Sequence, residues 1–241
     1  MDALISQAVW WLPVILLALV AWMRSGAMPD WKWLAAAICI FAVYTAAVLW
    51  LPLIDGFPTI EGAQFNWTGK IAAIAATIAM TGVLLASKAP VTAKDLGLTL
   101  AQNEGSLRPA AIATACMVGF VVLLQTLGGD GARPDAETLA YQAIIPGIDE
   151  ELMFRGALLA VLALAFAPTE RRWLWAGTAA TVVFTLSHSF FWSAGGVAFD
   201  PVALVYVGVL GGLLMYIRLR TGSVLIPIIA HNLTNVASQL A

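Results

Sequence analysis

The chain has 241 residues, 61% of them hydrophobic and 11% charged, with a mean hydropathy of +0.88. That composition excludes an ordinary soluble domain and points to an all-α, multi-pass bundle in a lipid bilayer, read as a single membrane domain over residues 1–241. A net charge of −2 says nothing about nucleic acid, and no basic run suggests it, so no nucleic-acid partner is expected.

The expected spans follow in order. Ala3 to Met23 carries no charge and is long enough to cross. It is too long for the apolar part of a cleaved signal peptide, and no Lys or Arg precedes it. Trp33 to Ile54, Ile71 to Ser87 and Pro109 to Gly129 come next. An interrupted apolar run from Leu139 to Ala167 is the fifth. Trp173 to Phe199 lacks Lys, Arg, Asp and Glu, and its helix is expected to end near Trp192. Val202 to Ile217 and Thr221 to Ala241 complete a set of about eight transmembrane helices. Several Trp residues sit at the run ends, as an interfacial belt requires.

The segments between the runs are mostly short. Asp95 to Leu100 reads as a short amphipathic piece resting at the interface. Gly208 and Gly212 form a small-xxx-small pair, with Gly211 beside them, that predicts close helix packing. Cys39 and Cys116 lie in apolar runs and read as small core residues rather than a disulfide or a metal pair. One face carries Arg24, Lys32, Lys88, Lys94, Arg108, Arg171, Arg172, Arg218 and Arg220; the other carries Lys70 and Arg133. The positive-inside rule then places both termini outside. The expected location is a bacterial cytoplasmic membrane.

The chemistry concentrates in Asp149-Glu150-Glu151-Leu152-Met153-Phe154-Arg155, inside the fifth run. Translocon-type scales put a central charge at roughly 2.5–3.5 kcal/mol, so four unpaired charges would cost on the order of 10 kcal/mol. Such groups persist where they pair, face water or do chemistry. Glu151 and Arg155 are i,i+4 and close enough to pair, while Glu150 points about 100° away. The only two histidines, His188 and His231, fall in the sixth and eighth runs, and His231 shares a helix face with Asn235. Pro146 and Pro227 each lie four residues before Glu150 and His231, where each frees a backbone carbonyl and can kink its helix. A water-using peptidase needs a base for the water and donors for the oxyanion. Two carboxylates, two imidazoles and an amide supply both.

Three motifs resemble those of the CAAX protease and bacteriocin-processing (abortive-infection) family of membrane glutamate proteases. They are Glu150-Glu151-x-x-x-Arg155, Phe184-x-x-x-His188 and His231-x-x-x-Asn235, within residues 139–241. The resemblance implies a non-metal intramembrane endopeptidase without a cofactor, acting near the tail of a membrane-associated or lipidated protein or peptide. Glu150 with His188 would activate water, His231 and Asn235 would stabilise the oxyanion, and Glu151 with Arg155 would shape the site. Other readings of these residues are a zinc peptidase using Glu150, His188 and His231, a proton-coupled carrier, and a silent scaffold or bacteriocin self-immunity protein on the same fold.

Overall fold

The computed structural model describes residues 2–129, 133–193 and 195–241. The helices are α1 (Asp2–Ser25), α2 (Trp31–Leu49), α3 (Trp67–Ala86), α4 (Leu107–Gly128), α5 (Ala136–Glu150), α6 (Leu159–Ala165), α7 (Arg172–Ser189), α8 (Pro201–Thr221) and α9 (Leu225–Leu240). A π-helical segment, Glu151–Leu158, joins α5 to α6 into one rod, so the described residues form eight rods. Five helices, α1, α2, α3, α4 and α8, are long and apolar enough to cross a membrane by length and composition.

Polar caps set where several helices begin. Asp30 accepts from the Lys32 N–H, Asn66 from Gly69, Asp135 from Thr138, and Asp200 from Val202 and Ala203 ahead of Pro201. Each satisfies donors that a helix start leaves without an intrahelical partner.

Residues Met153 to Phe166 are buried without interruption. A helix apolar on every side belongs at the centre of a bundle, and α6, Leu-Ala-Val-Leu-Ala-Leu-Ala, is that helix. Around it pack Trp10, Phe41, Tyr44, Phe154 and Phe184, with ring centroids of successive pairs 4.9–6.1 Å apart. Outward faces carry exposed hydrocarbon such as Leu12, Leu16, Ile78, Val83 and Val205, as contact with lipid tails demands.

Several expectations change. The helix of the sixth run stops at Ser189, and Phe190–Ser193 pairs antiparallel with Gly196–Phe199 as a hairpin, β1 and β2. Phe-Phe-Trp favours strand, and Gly196 at φ 108° supplies a turn that continued helix would not allow. Asp95–Leu100, expected as an amphipathic piece at the interface, packs against the protein itself. It wedges under the ends of α8 and α9, with Leu96 buried, the Gly97 carbonyl accepting from Val224 and the Thr99 carbonyl from Ser223 Oγ. The tightest approach on α8 is at Gly211, with Gly208 beside Thr185 at ordinary contact distance and Gly212 facing open space. A Cβ on Gly211 would lie 2.9 Å from the Phe184 ring, whereas one on Gly212 would meet nothing within 4 Å. Cys39 and Cys116 are free but exposed, because their helix faces turn outward rather than into the core.

Candidate active site

The π-helical segment begins at Glu151, in the middle of the motif. Such widened turns re-aim side chains and often mark functional sites. Here the Arg155 carbonyl accepts from Arg218 Nε at 2.8 Å, and Arg218 also reaches the Asp95 carbonyl at 2.7 Å. Arg218 is thereby a buried strut that fastens the widened turn to α8.

Within the turn, Arg155 is fully buried. Its Nη1 donates to Glu151 Oε1 at 2.9 Å, its Nη2 donates to the Gly211 carbonyl at 2.9 Å, and its guanidinium lies 4.3 Å over the Phe184 ring. Glu151 Oε1 also receives His231 Nδ1 at 2.8 Å. A carboxylate accepts only, so Nδ1 carries the proton and Nε2 points onward. That nitrogen lies 3.9 Å from Glu150 Oε2. On the other side His188 Nδ1 is 2.7 Å from the Phe184 carbonyl, again an acceptor, which leaves His188 Nε2 3.8 Å from the same Glu150 oxygen. Two imidazoles, each fixed from behind, therefore bracket one carboxylate oxygen.

Asn235 stands one helical turn beyond His231. Its amide donates to Gln142 Oε1 at 3.1 Å, and its side chain lines a cavity of about 180 Å³ together with Glu150, His188 and His231. A second cavity of about 160 Å³ lies across Glu150 and His188, walled by Trp10, Phe41, Tyr44, Phe154 and Phe191. All six residues expected from the sequence come together: Glu150, Glu151, Arg155, His188, His231 and Asn235. Glu150 and His188 border both cavities; Glu151 and Arg155 lie behind them.

The two prolines act differently from each other. Gly147, next to Pro146, gives its N–H to Asn232 Oδ1 at 2.8 Å, and Asn232 Nδ2 returns a bond to the Ile144 carbonyl at 3.3 Å. A Cβ on Gly147 would come within 2.5 Å of Asn232 Oδ1 and 2.7 Å of the Ile228 carbonyl. Glycine is thus required for α5 and α9 to touch here. At the second site Pro227 frees the Ser223 carbonyl, and Thr221 Oγ1 occupies it at 3.1 Å.

Sequence reasoning missed Lys70. The sequence counts it as a charge on one membrane face, but it belongs to the first turn of α3 and points inward. Its Nζ reaches Asp149 Oδ2 at 2.7 Å and Glu150 Oε1 at 2.8 Å. Tyr44 completes the group, its hydroxyl donating to Asp149 Oδ2 at 2.7 Å. A signal was present. The Asn66 cap puts Lys70 inside the helix, where the positive end of the helix dipole disfavours a cation. Gln142 and Asn232 were missed as well; amides within apolar runs give little pattern of their own.

Glu150 Oε2 and the two Nε2 atoms are the donor set a zinc ion would use. No cluster of His, Cys, Asp or Glu among the described residues has metal-holding geometry. The Lys70 ammonium, on the other oxygen of the same carboxylate, already puts positive charge beside that point.

Residues 134–237 match the family described as type II CAAX prenyl endopeptidase Rce1-like. That segment is 104 of the 241 residues, and the match bears out the resemblance that the three motifs carry. No curated protein and no solved structure matches the chain. The matched segment contains all three motifs and four of the eight rods, the α5–π–α6 rod with α7, α8 and α9. The five long apolar helices and this match point to a multi-pass membrane protein similar over its second half to CAAX-type endopeptidases. Lys70 and Tyr44 lie outside the matched segment, on α3 and α2.

Proposed function

We propose that the protein is an intramembrane glutamate-type endopeptidase in which Glu150 activates a water molecule. The observation that carries this reading is the bracketed oxygen, Glu150 Oε2, with His188 Nε2 at 3.8 Å and His231 Nε2 at 3.9 Å. Both gaps exceed a direct hydrogen bond and suit one water held between the carboxylate and an imidazole. Glu150 takes the water proton as the oxygen attacks the scissile carbonyl, and that proton passes to the departing amine as the C–N bond breaks.

The oxyanion needs donors. Asn235 Nδ2 is one. His231 Nε2 is the other when the ring is doubly protonated, and Glu151 behind Nδ1 steadies that form. Formal charge fits: Asp149, Glu150 and Glu151 face Lys70 and Arg155, so one imidazolium brings the cluster to neutrality. The two cavities on either side of Glu150 would receive the chain on either side of the cleaved bond. Their apolar walls suit a hydrophobic or lipidated tail.

The site opens toward the membrane face that carries the β1–β2 hairpin, for His188 is on the last turn of α7 and Lys70 on the first turn of α3. With Lys70 and Arg218 both inside the protein, the cation count becomes eight on the other face against Arg133 on this one, which keeps the bias placing this face outside the cytoplasm. The C-terminus lies on the same face. A C-terminal reporter that reads as cytoplasmic would overturn the orientation.

Purified protein in lipid nanodiscs, given prenylated and unprenylated peptide tails with and without chelator, tests the chemistry. Cleavage that survives chelation and is lost in Glu150→Gln supports a glutamate base. Cleavage abolished by chelator and restored by zinc would replace it with the metal reading.

A further inference from the structure

The two oxygens of Glu150 have different partners. Oε2 faces the histidines; Oε1 is taken by Lys70 Nζ at 2.8 Å. Lys70 is itself held by Asp149 Oδ2 at 2.7 Å, and that oxygen is held by the Tyr44 hydroxyl at 2.7 Å. Asp149 is fully buried and the Lys70 side chain is 16% exposed. Burying an ammonium and a carboxylate costs several kcal/mol per ion before pairing, and the start of α3 is an unfavourable place for a cation. Local structure does not account for the residue. A simple tie between α3 and α5 would need only Lys70 and Asp149, yet the ammonium is shared with Glu150.

Sharing does two things. It occupies Oε1, so the oxygen left facing the imidazoles is always Oε2. It also sets a fixed positive charge against the Glu150 carboxylate in a medium with little water. The groups facing Glu150 are Lys70 on α3, Tyr44 on α2, His188 on α7, His231 on α9, and Asp149 with the Glu151–Arg155 pair on its own rod. Of the two permanent cations, Arg155 is spent on Glu151.

We infer that Lys70, tethered by Asp149 and Tyr44, is the positioning residue that holds the Glu150 carboxylate ionised and turned toward His188 and His231. This rests on Glu150 being the base, but its test does not need cleavage. Infrared difference spectra of the full chain in nanodiscs, recorded across a pH titration, report a protonated carboxylic acid directly. Because Asp149 would also lose its cation, the variant is Lys70→Met/Asp149→Asn, which removes both members of the buried pair and leaves Glu150 as the carboxyl deprived of the ammonium. It is expected to gain such a band at neutral pH; adding Glu150→Gln should remove it, and Lys70→Arg alone should not show it. No band in Lys70→Met/Asp149→Asn, or a band that persists when Glu150→Gln is added, overturns the inference.

Where a cleaved peptide is in hand, Lys70→Met should lower kcat by roughly 10²-fold or more with little change in KM, and Lys70→Arg should recover most of it. Equal loss in Met and Arg variants with an unshifted acid limb of the rate profile would contradict the role. A wild type that cleaves nothing would remove the proposed function while leaving the infrared result to decide the role of Lys70.

Discussion

Arg155 offers the sharpest test of how the site is built. Replacing it with Ala removes three contacts at once: the 2.9 Å bond to Glu151, the 2.9 Å bond to the Gly211 carbonyl, and the stack over Phe184. Glu151 is wholly buried and would keep only His231 as a donor. Stripping one partner from a buried ion pair costs about 3–5 kcal/mol, and orphaning a buried carbonyl adds about 1 kcal/mol or more. A loss of about 4 kcal/mol or more corresponds to roughly 8–16 °C in melting temperature for a chain of this size. Thermal unfolding in mild detergent measures it. Because much of the cost is a stranded charge, Arg155→Ala/Glu151→Gln should be less unstable than the sum of the single variants, with a coupling of about 1–3 kcal/mol. A single variant within about 1 kcal/mol of wild type, or strict additivity in the cycle, would refute the ion-pair reasoning.

Gly147→Ala should separate α5 from α9, since the new Cβ meets a backbone carbonyl at 2.7 Å; we expect a stability loss of about 1–3 kcal/mol and reduced activity, read by unfolding and cleavage together. Asn235→Ala should lower kcat by roughly 10²–10³-fold as an oxyanion donor, whereas Gln142→Ala, which removes only the partner of Asn235, should cost far less; equal effects would reduce Asn235 to a structural role. Asp135 lies outside the spans, and the Thr138 N–H, then the Gln64 amide, hold its carboxyl below the usual range. Its capping is therefore complete above the ordinary Asp value and is lost as pH falls through the lowered one, so Asp135→Ala should lie below wild type in melting temperature near neutrality and converge with it in acid.

The helical bundle was legible because apolar runs long enough to cross a bilayer have few other uses. Glu150, Glu151, Arg155, His188 and His231 stood out because each is polar or charged where hydrocarbon is expected. Lys70 did not, because it sits at the edge of an apolar run and a cation there reads as the end of a loop. Only the fold shows that the first turn of α3 faces Asp149 and Glu150. The β1–β2 hairpin was hidden for the opposite reason. Phe190 to Phe199 has no charge to interrupt the apolar run, and strand preference shows only once the helix has stopped. Gly208, Gly211 and Gly212 were all legible as a small-residue patch, but which of them comes closest to α7 depends on the rotation of α8 about its axis.

The most direct measurement compares the C-terminal peptides of all membrane and exported proteins, by mass spectrometry, in cells carrying the wild type and cells carrying Glu150→Gln. Tails shortened only in the wild type, with both proteins folded and equally abundant, are the expected result and would name the substrate and the bond. Identical tails from the two cell lines, for a protein that also fails to cleave lipidated and plain peptides in nanodiscs, would contradict Glu150 as the base of a peptidase.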